Sequence, residues 1–317
     1  MFLKSLSQTK IILYVLIFSL FVIYKSSASE KTKWHEKEGV FEISFKQLKF
    51  VVDANLAGRI ISFQLDGKEI LGQADLHPEM FGSTFWPAPQ SDWKWPPYPT
   101  LDIEPYSKTL IGDTLILESK TCPISGLKFF KKFVPQPNFE RIKIEYIILN
   151  NSGIKIKVAP WEVTRTPSFG LTFFPQSNSA PLEKSTLKNV EFDKGIIWYY
   201  SNTESFSGGQ KMFVSGSEGW LAHCHKNMLF IKQFPDIKEG ECASGQGEIE
   251  VYANGNYNYI ELENHGKIES LKPGEKIIYP VFWYLKEIPD EIQIESKNSA
   301  LVEEARKTVQ QIRVEEF

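Results

Sequence analysis

The 317-residue chain has few cysteines and no large excess of charge of either sign. Three cysteines allow at most one intrachain disulfide, for which Cys224 with Cys242 is one pairing. The alternative is three buried thiols that pack as small apolar side chains. The formal net charge is -3, whereas nucleic-acid binders usually carry an excess of basic residues. We therefore expect no nucleic-acid partner.

Several catalytic signatures are missing as well. The sequence has no G-x-S-x-G elbow, no Walker phosphate loop, no dinucleotide-binding glycine motif after a strand and no H-E-x-x-H pair. Serine hydrolase, nucleoside triphosphatase and zinc protease functions therefore lose their main support, and no cofactor is expected. His223 and His225 would point the same way from a strand, but no third ligand at a recognisable spacing accompanies them. We therefore expect no metal site.

Residues 1–28 have the pattern of a secretory signal. Two lysines precede a mostly apolar run at 11–24, which is followed by small residues up to Ala28. A spanning helix needs about 20 apolar residues, so the run is short for a permanent anchor. We expect cleavage after Ala28 and a periplasmic or extracellular location. The alternative is an uncleaved anchor, since Lys25 interrupts the small-residue site, and that segment would then be the chain's contact with a membrane.

The body of the chain is predicted to be all-β. Apolar residues recur at nearly every second position from residue 40, and Asp66-Gly67 between two apolar runs predicts a hairpin. No long stripe of helical period appears before residue 286. We expect a linker at 29–39 and a large antiparallel β-sandwich at 40–287. Other predicted strands cover 109–117, 127–134, 141–150, 155–165, 170–174, 219–225, 228–234, 248–253, 257–263 and 276–285.

The C-terminal segment, 288–317, has a different period. Leu301, Val302, Ala305 and Val309 recur at helical spacing. With caps offered at 298 and 299, this pattern predicts one α-helix over 299–313.

Residues 81–106 combine six of the 18 prolines with three of the eight tryptophans. This density of proline predicts a stiff, extended loop rather than a central strand or a helix. The indoles of Trp86, Trp93 and Trp95, beside Gln90 and Asp92, would suit a sugar ring. The alternative is a lid that closes one end of the sandwich.

Two strand segments carry polar residues in alternation. Glu261 and Glu263 are expected on one face of a strand, about 7 Å apart, with His265 following them. Like charges in a concavity would raise one pKa and give an acid or base, whereas a solvated outer face is the alternative. Arg165, or Arg59 on another strand, could hold hydroxyls or a carboxylate, with ion pairing inside the sheet as the alternative.

These segments carry a resemblance to known proteins. Residues 58–71 look like the opening hairpin of galactose-mutarotase-like sandwiches, and 261–266 with 271–275 look like their late strand and the turn after it. Residues 81–106 and 161–165 are similar to the domain-of-unknown-function family 4380. The likeness covers about 40–286.

The resemblance implies a β-supersandwich that binds a mono- or oligosaccharide and opens an aldose ring. It implies a late-strand glutamate as general base, Glu261 or Glu263, and a histidine as acid, for which we choose His223 or His225. The expected sugar-binding residues are Arg59, Trp86, Gln90, Asp92, Trp93, Trp95, Arg165 and His265. The alternatives are a non-catalytic glycan-binding module and a structural envelope protein.

Overall fold

Alternating apolar and polar side chains build two antiparallel sheets packed face to face. The computed structural model describes residues 32–310 apart from 178–181 and 183. The predicted signal or anchor at 1–28 lies outside the described residues, as do the last residues of the predicted C-terminal helix. Within the described part of the chain, no helix is both long enough and apolar enough to cross a membrane.

The described residues form 21 strands and two α-helices. The early strands are β1 His35–Lys37, β2 Val40–Phe45, β3 Leu48–Asp53, β4 Arg59–Leu65, β5 Lys68–Glu69, β6 Ser83–Ala88, β7 Ser107–Ile111, β8 Thr114–Glu118, β9 Leu127–Gln136, β10 Arg141–Asn150 and β11 Ile156–Pro167. The later strands are β12 Leu171–Pro175, β13 Val190–Asp193, β14 Ile196–Tyr200, β15 Gly209–Val214, β16 Trp220–His225, β17 Met228–Gln233, β18 Ile249–Asn254, β19 Tyr259–His265, β20 Glu269–Leu271 and β21 Lys276–Glu287. The helices are α1 Pro99–Asp102 and α2 Ser299–Val309.

The strand order of each sheet departs from the chain order. The first sheet has 11 strands in the order β1-β2-β3-β4-β6-β11-β19-β18-β15, with β5 beside β4 and β20 beside β11. The second has 10 strands in the order β13-β14-β12-β16-β17-β21-β10-β9-β8-β7. Strands from the middle and the end of the chain therefore become neighbours in the first sheet. This confirms the predicted all-β antiparallel sandwich with a C-terminal helix.

Three apolar clusters lie on different faces of the sheets. The main core lies between the sheets and takes Ile260 and Leu262 from β19. A second cluster packs α2, through Leu301 and Ala305, against the outer face of the second sheet. The third is a group of tryptophans and small residues on the outer face of the first sheet. Since the first sheet is buried on both faces near its centre, β19 is buried along its whole length.

The hairpin predicted at Asp66-Gly67 joins β4 to β5. Both turn residues have positive φ, 49° and 73°, which is the conformation that favours Asp-Gly in two-residue hairpins. The segment predicted as one strand at 109–117 is instead a hairpin of β7 and β8. The segment that we assigned to a linker contains a strand, β1.

The proline-rich segment contains a central strand, which corrects the prediction of a loop throughout 81–106. β6 lies between β4 and β11, and Pro87 stands opposite Pro160. On its other side β6 pairs with β4 only at Ser83, opposite Ile60. Pro87 lies beyond that point, where β6 has no partner on the β4 side. The sheet therefore loses no hydrogen bond because proline lacks an N–H. The short helix α1 is a second regular element in the same segment.

Candidate functional site

The outer face of the first sheet carries a row of charged and aromatic side chains. Alternation along each strand sends one set to the core and the other set outward. The outward set consists of Arg59 on β4, Thr84 and Trp86 on β6, Trp161 and Arg165 on β11, Glu261, Glu263 and His265 on β19, Glu250 and Tyr252 on β18, and Lys211 and Phe213 on β15. Each strand near the centre of the sheet thus contributes to one surface.

Glu261 and Glu263 share this face, but neither is solvated. Glu261 is 9% exposed and Glu263 is fully buried. Arg165 Nε donates to Glu261 Oε1 at 2.8 Å and its Nη1 donates to Thr84 Oγ1 at 2.8 Å. Trp161 Nε1 donates to Glu263 Oε2 at 2.8 Å. The alternative of a solvated outer face is therefore wrong, and Arg165 takes the role of an ion pair within the sheet.

Lys211 joins two carboxyl groups from neighbouring strands. Its Nζ lies 2.6 Å from Glu250 Oε2 and 2.9 Å from Glu263 Oε1. Burial alone would lower the pKa of Lys211, but Glu263 and Glu250 outweigh it and raise the pKa. Burial raises the pKa of Glu263 to about 8 against the attraction of Lys211. Burial acts the same way on Glu250, but Lys211 outweighs it there and holds that pKa below its usual value.

His265 completes this cluster, which we call the carboxylate cluster: Lys211, Glu250, Glu263 and His265. Its ring stacks on Trp161 with centroids 5.1 Å apart, and Nε2 lies 3.3 Å from Glu250 Oε1. Neither ring nitrogen has a well-aligned hydrogen bond among the described residues. Burial lowers the pKa of His265, so the imidazole is neutral near pH 7. The cluster therefore contains one charged carboxylate, one carboxyl of raised pKa and a neutral histidine.

The carboxylate cluster also has the donor types of a metal site. Ligand atoms of Glu250, Glu263 and His265 all lie within 4.8 Å of one another. Two carboxylates and one imidazole suit several divalent ions. In the structure the ammonium group of Lys211 already supplies the positive charge between the two carboxyl groups. A metal ion would have to displace it.

Four tryptophans pack around the end of β6 and form what we call the tryptophan cluster: Trp86, Trp93, Trp95 and Trp161. The Trp86 ring lies 5.1 Å from Trp161, 6.0 Å from Trp93 and 5.9 Å from Trp95, always edge to face. Trp86 and Trp161 are buried, whereas Trp95 is 56% exposed. The cluster therefore holds the exposed indole of Trp95 against a rigid base.

Trp95 separates two cavities. One, of about 480 Å³, has Gln90, Lys211 and Glu250 in its lining; we call it the lysine cavity. The other, of about 550 Å³, has Arg59 and Asp102 in its lining; we call it the arginine cavity. Trp95 lines both, and each volume lies in the usual range of small-molecule sites, about 300–1,000 Å³.

Arg59 is held at the floor of the arginine cavity. Its Nη2 lies 3.9 Å from Asp102 Oδ2, and its Nη1 donates to the carbonyl of Glu79 at 2.6 Å. Burial lowers the pKa of Arg59 to about 10 in spite of Asp102. Asp102 also accepts from Trp86 Nε1 at 2.7 Å. The cavity floor is thus tied to the tryptophan cluster.

The structure brings most of the predicted site residues to this surface. Trp93 donates from Nε1 to the carbonyl of Pro87 and supports the tryptophan cluster. Asp92 is exposed and appears in the lining of neither cavity, so its predicted contact with a sugar has no support from its position.

His223 and His225 are not brought together with the glutamates, which corrects their assignment as the acid. Both lie on β16 in the second sheet, whereas the glutamates face outward from the first sheet. His223 Nδ1 lies 3.0 Å from Thr172 Oγ1, and burial lowers its pKa to about 3. A histidine in that setting is a neutral core residue. The histidine that does accompany the glutamates is His265, which we had placed among the sugar-binding residues.

Sequence reasoning missed Lys211, Glu250 and Asp102. Glu250 stands between apolar residues in β18, which gives a partial signal, whereas Lys211 follows the polar residue Gln210 in β15. Their importance depends on β18 lying next to β19 and β15 lying next to β18, which no local pattern shows. Cys122, Cys224 and Cys242 are all free thiols, so the suggested Cys224–Cys242 pair is not formed.

A larger cavity, of about 880 Å³, lies on the outer face of the second sheet over β8, β9 and β10. Its lining mixes Ile116, Phe130 and Leu149 with charged side chains. We place the candidate site on the first sheet instead, because tryptophans, arginines and perturbed carboxyl groups converge there.

Comparisons with known proteins agree with the fold. A putative aldose 1-epimerase from Escherichia coli K12 is 10% identical, with a TM-score of 0.53 over 78% of this chain and 99% of that one. A galactose mutarotase-like protein from Lactobacillus casei is 10% identical, with a TM-score of 0.56 over 78% and 100% of the two chains. Another from Clostridium acetobutylicum is 11% identical, with a TM-score of 0.54 over 81% and 98%. At these identities the likeness shows the fold alone.

No curated protein sequence matches the chain. The family match, in contrast, spans most of the sandwich, from β2 to β21. Residues 40–286 match the family described as "Domain of unknown function (DUF4380)". The chain therefore belongs to the DUF4380 family and has a galactose mutarotase-like fold.

Proposed function

We propose that this protein binds carbohydrate on the outer face of its first sheet, around Trp95. The observation that carries the proposal is the position of that indole. It is 56% exposed, rests on a buried tryptophan and forms a wall of two cavities, both of which also contain polar side chains. The C–H groups of a sugar ring are attracted to the negative face of an indole, while the hydroxyl groups require hydrogen-bonding side chains such as Gln90 and Arg59.

Trp95→Ala tests the proposal. Loss of an aromatic anchor at the centre of a site typically costs more than 1 kcal/mol, so we expect binding of an oligosaccharide to weaken about tenfold. The readout is isothermal titration of a panel of mono- and oligosaccharides, supported by tryptophan fluorescence. The matched control is Phe192→Ala, which removes another exposed aromatic ring (54% exposed) on β13 of the second sheet. An equal effect of the two substitutions would contradict the proposed site.

A second candidate function is ring opening of an aldose, and the carboxylate cluster is the observation that favours it. Glu250 lines the lysine cavity and has a lowered pKa, while Glu263 beside it has a raised pKa. Such a divergence is typical of acid and base pairs. Glu250 would take the proton of the anomeric hydroxyl group as the bond from C1 to the ring oxygen breaks. The ring oxygen would receive a proton from Lys211, which lines the same cavity, and the buried Glu263 in contact with Lys211 would replace that proton.

Mutarotation followed by polarimetry separates the two functions. If the second function holds, wild type accelerates the reaction and Glu250→Gln and Glu263→Gln each lose at least about a hundredfold of the acceleration. Glu269→Gln, an exposed carboxylate on β20, is the control. Sugar binding without acceleration by wild type would leave binding as the function and remove the catalytic candidate.

Export remains part of the proposal because of the pattern at residues 1–28. N-terminal sequencing of the protein isolated from its source cells would test it. A mature chain that begins near residue 29 supports export, whereas a cytosolic chain that still starts at Met1 contradicts it.

A further inference from the structure

We propose that the ligand is an acidic oligosaccharide, with an anionic sugar unit in the lysine cavity and a neighbouring unit across Trp95 in the arginine cavity. This inference rests on the proposed carbohydrate binding and adds the charge and the length of the ligand. The anionic group would be a uronate carboxylate or a sulfate ester, because both present oxygen acceptors to ammonium groups.

The lysine cavity has an excess of positive charge. Its lining contains three lysines, Lys94, Lys184 and Lys211, against one carboxylate, Glu250. The charge of Lys211 is balanced by its contacts of 2.6 and 2.9 Å with Glu250 and Glu263.

Lys94 and Lys184 have no such balance. Among the described residues neither forms an ion pair, and the contact found for Lys184 Nζ is the ring of Phe213, 3.6 Å from the centroid. The charge of Glu250 acts on Lys184, but the two groups form no ion pair. Two ammonium groups at the rim of one cavity, neither of them in an ion pair, would attract an anion.

The arginine cavity is different in charge. Arg59 faces Asp102 at 3.9 Å, so the guanidinium charge is compensated within the lining. The lining is otherwise rich in apolar groups, among them Phe81, Pro96 and Ile103. This composition suits a less charged sugar unit. The pair of cavities is therefore asymmetric, and the anionic unit belongs on the lysine side.

The two cavities are connected through one side chain. Because Trp95 lines both, a ligand that fills both must pass over its indole. A monosaccharide fills one cavity, whereas a chain of several units fills both and covers the exposed ring between them. The geometry therefore favours an oligosaccharide over a single sugar.

The test measures binding of matched tetrasaccharides to the full mature chain by isothermal titration. The ligands are an oligo-uronate, a neutral oligosaccharide of the same linkage, a sulfated form of that neutral chain, and the monomeric uronate. A short oligothymidylate serves as a polyanion that is not an oligosaccharide. We expect at least one acidic tetrasaccharide to bind about tenfold or more tightly than the neutral one, and the two acidic ligands tell carboxylate from sulfate.

Substitution of the two lysines tests whether they cause the preference for an acidic ligand. We expect Lys94→Ala and Lys184→Ala each to weaken binding of the acidic tetrasaccharide by up to about fivefold, the usual upper range for exposed charge pairs. Binding of the neutral chain should stay unchanged. The control is Lys272→Ala, a lysine whose side chain is 73% exposed in the turn before β21. High salt should weaken binding of the acidic ligands alone.

Each outcome has a separate meaning. Equal affinity for neutral and acidic tetrasaccharides would overturn the inference and leave the proposed function intact. Equal affinity for the monomeric uronate and its tetrasaccharide would overturn the two-cavity arrangement. Tighter binding of oligothymidylate than of any sugar would overturn the ligand class, and no binding of any sugar would remove the proposed function as well.

Discussion

Trp161 donates a hydrogen bond of 2.8 Å from its indole Nε1 to Oε2 of the buried carboxyl group of Glu263. The two residues lie on adjacent strands, with Val163 standing opposite Glu263 in the register. The same indole forms part of the tryptophan cluster, 5.1 Å from Trp86. The tryptophan cluster and the carboxylate cluster are therefore joined by one side chain, so a change in either should affect the other.

Replacing Trp161 by phenylalanine should show this link in stability. The variant leaves a buried carboxyl group without one donor, which typically costs about 1–3 kcal/mol. The loss should be larger at pH 9 than at pH 6, because the charged form of Glu263, whose pKa is about 8, depends more on the donor. Urea unfolding at the two pH values measures it.

Trp198→Phe is the matched control for this prediction. Trp198 is also buried and also packs on an aromatic ring, Phe173, but its Nε1 has no hydrogen-bond partner among the described residues. The control should therefore lose less free energy of unfolding, with no dependence on pH. Equal losses in the two variants would show that packing, not the hydrogen bond, decides the effect.

A buried ion pair connects the two sheets, and breaking it should be costly. Lys232 Nζ on β17 lies 2.8 Å from Glu162 Oε2 on β11, and both side chains are fully buried. Lys232→Met leaves the carboxylate without its charge partner, so we expect a loss of about 3–5 kcal/mol in the free energy of unfolding. The double variant Lys232→Met/Glu162→Gln should recover part of it.

The exposed pair Lys46–Glu140 is the control, with side chains 52% and 58% exposed. Lys46→Met should cost less than about 1 kcal/mol. A comparable cost for Lys46→Met and Lys232→Met in urea unfolding would refute the importance of burial.

Stability should also fall as the pH rises because of Glu248. Burial, followed by the charge of Asp236, raises the pKa of Glu248 from 4.5 to about 8. Between these two pH values the folded protein keeps a proton that the unfolded chain loses, so the contribution to stability decreases as the pH increases. The decrease should be on the order of 5 kcal/mol, at about 1.4 kcal/mol per pKa unit.

Two variants of this carboxyl pair isolate the effect. At pH 5 the free energy of unfolding of Glu248→Gln should differ little from that of wild type. At pH 9 the variant should be more stable than wild type. Asp236→Asn removes one source of the raised pKa and should make the pH dependence shallower. A difference between wild type and Glu248→Gln that stays constant with pH would contradict this account.

Gly82 and Gly67 make a matched pair for backbone strain. Both have positive φ, 61° and 73°. A Cβ at Gly82 would lie 2.2 Å from the carbonyl oxygen of Ile60, at the start of β6, whereas a Cβ at Gly67 would meet no atom within 4 Å. Gly67→Ala should cost about 1–2 kcal/mol from conformation alone, and Gly82→Ala about 1–3 kcal/mol more from the clash.

Thermal unfolding of the two alanine variants measures this difference. Equal melting temperatures would show that β6 shifts away from β4 without cost, in spite of the tight contact.

Much of the architecture follows from local pattern. Alternation predicted β10 with its observed bounds, and it placed Glu261 and Glu263 on one face with Ile260 and Leu262 on the other. The Asp66-Gly67 hairpin and the N-cap of α2 were equally local, since each depends on a few consecutive residues. Proline density wrongly predicted a loop at β6. A proline fits in a strand where its nitrogen faces an unpaired side, and the sequence does not show which side of a strand is unpaired.

The sequence by itself determined many of the strand segments, where the last helix begins and which side chains of a strand point together. These properties depend on backbone preferences and a period of two residues, both of which act over short distances along the chain. Only the tertiary structure decided that Lys211 lies between Glu250 and Glu263, that His265 rather than His223 accompanies them, and that Trp95 divides two cavities. Strand order made these decisions: in the first sheet β19 lies between β11 and β18, and β15 lies beyond β18. Contacts between distant segments are selected by packing both faces of the sheet rather than by any local pattern.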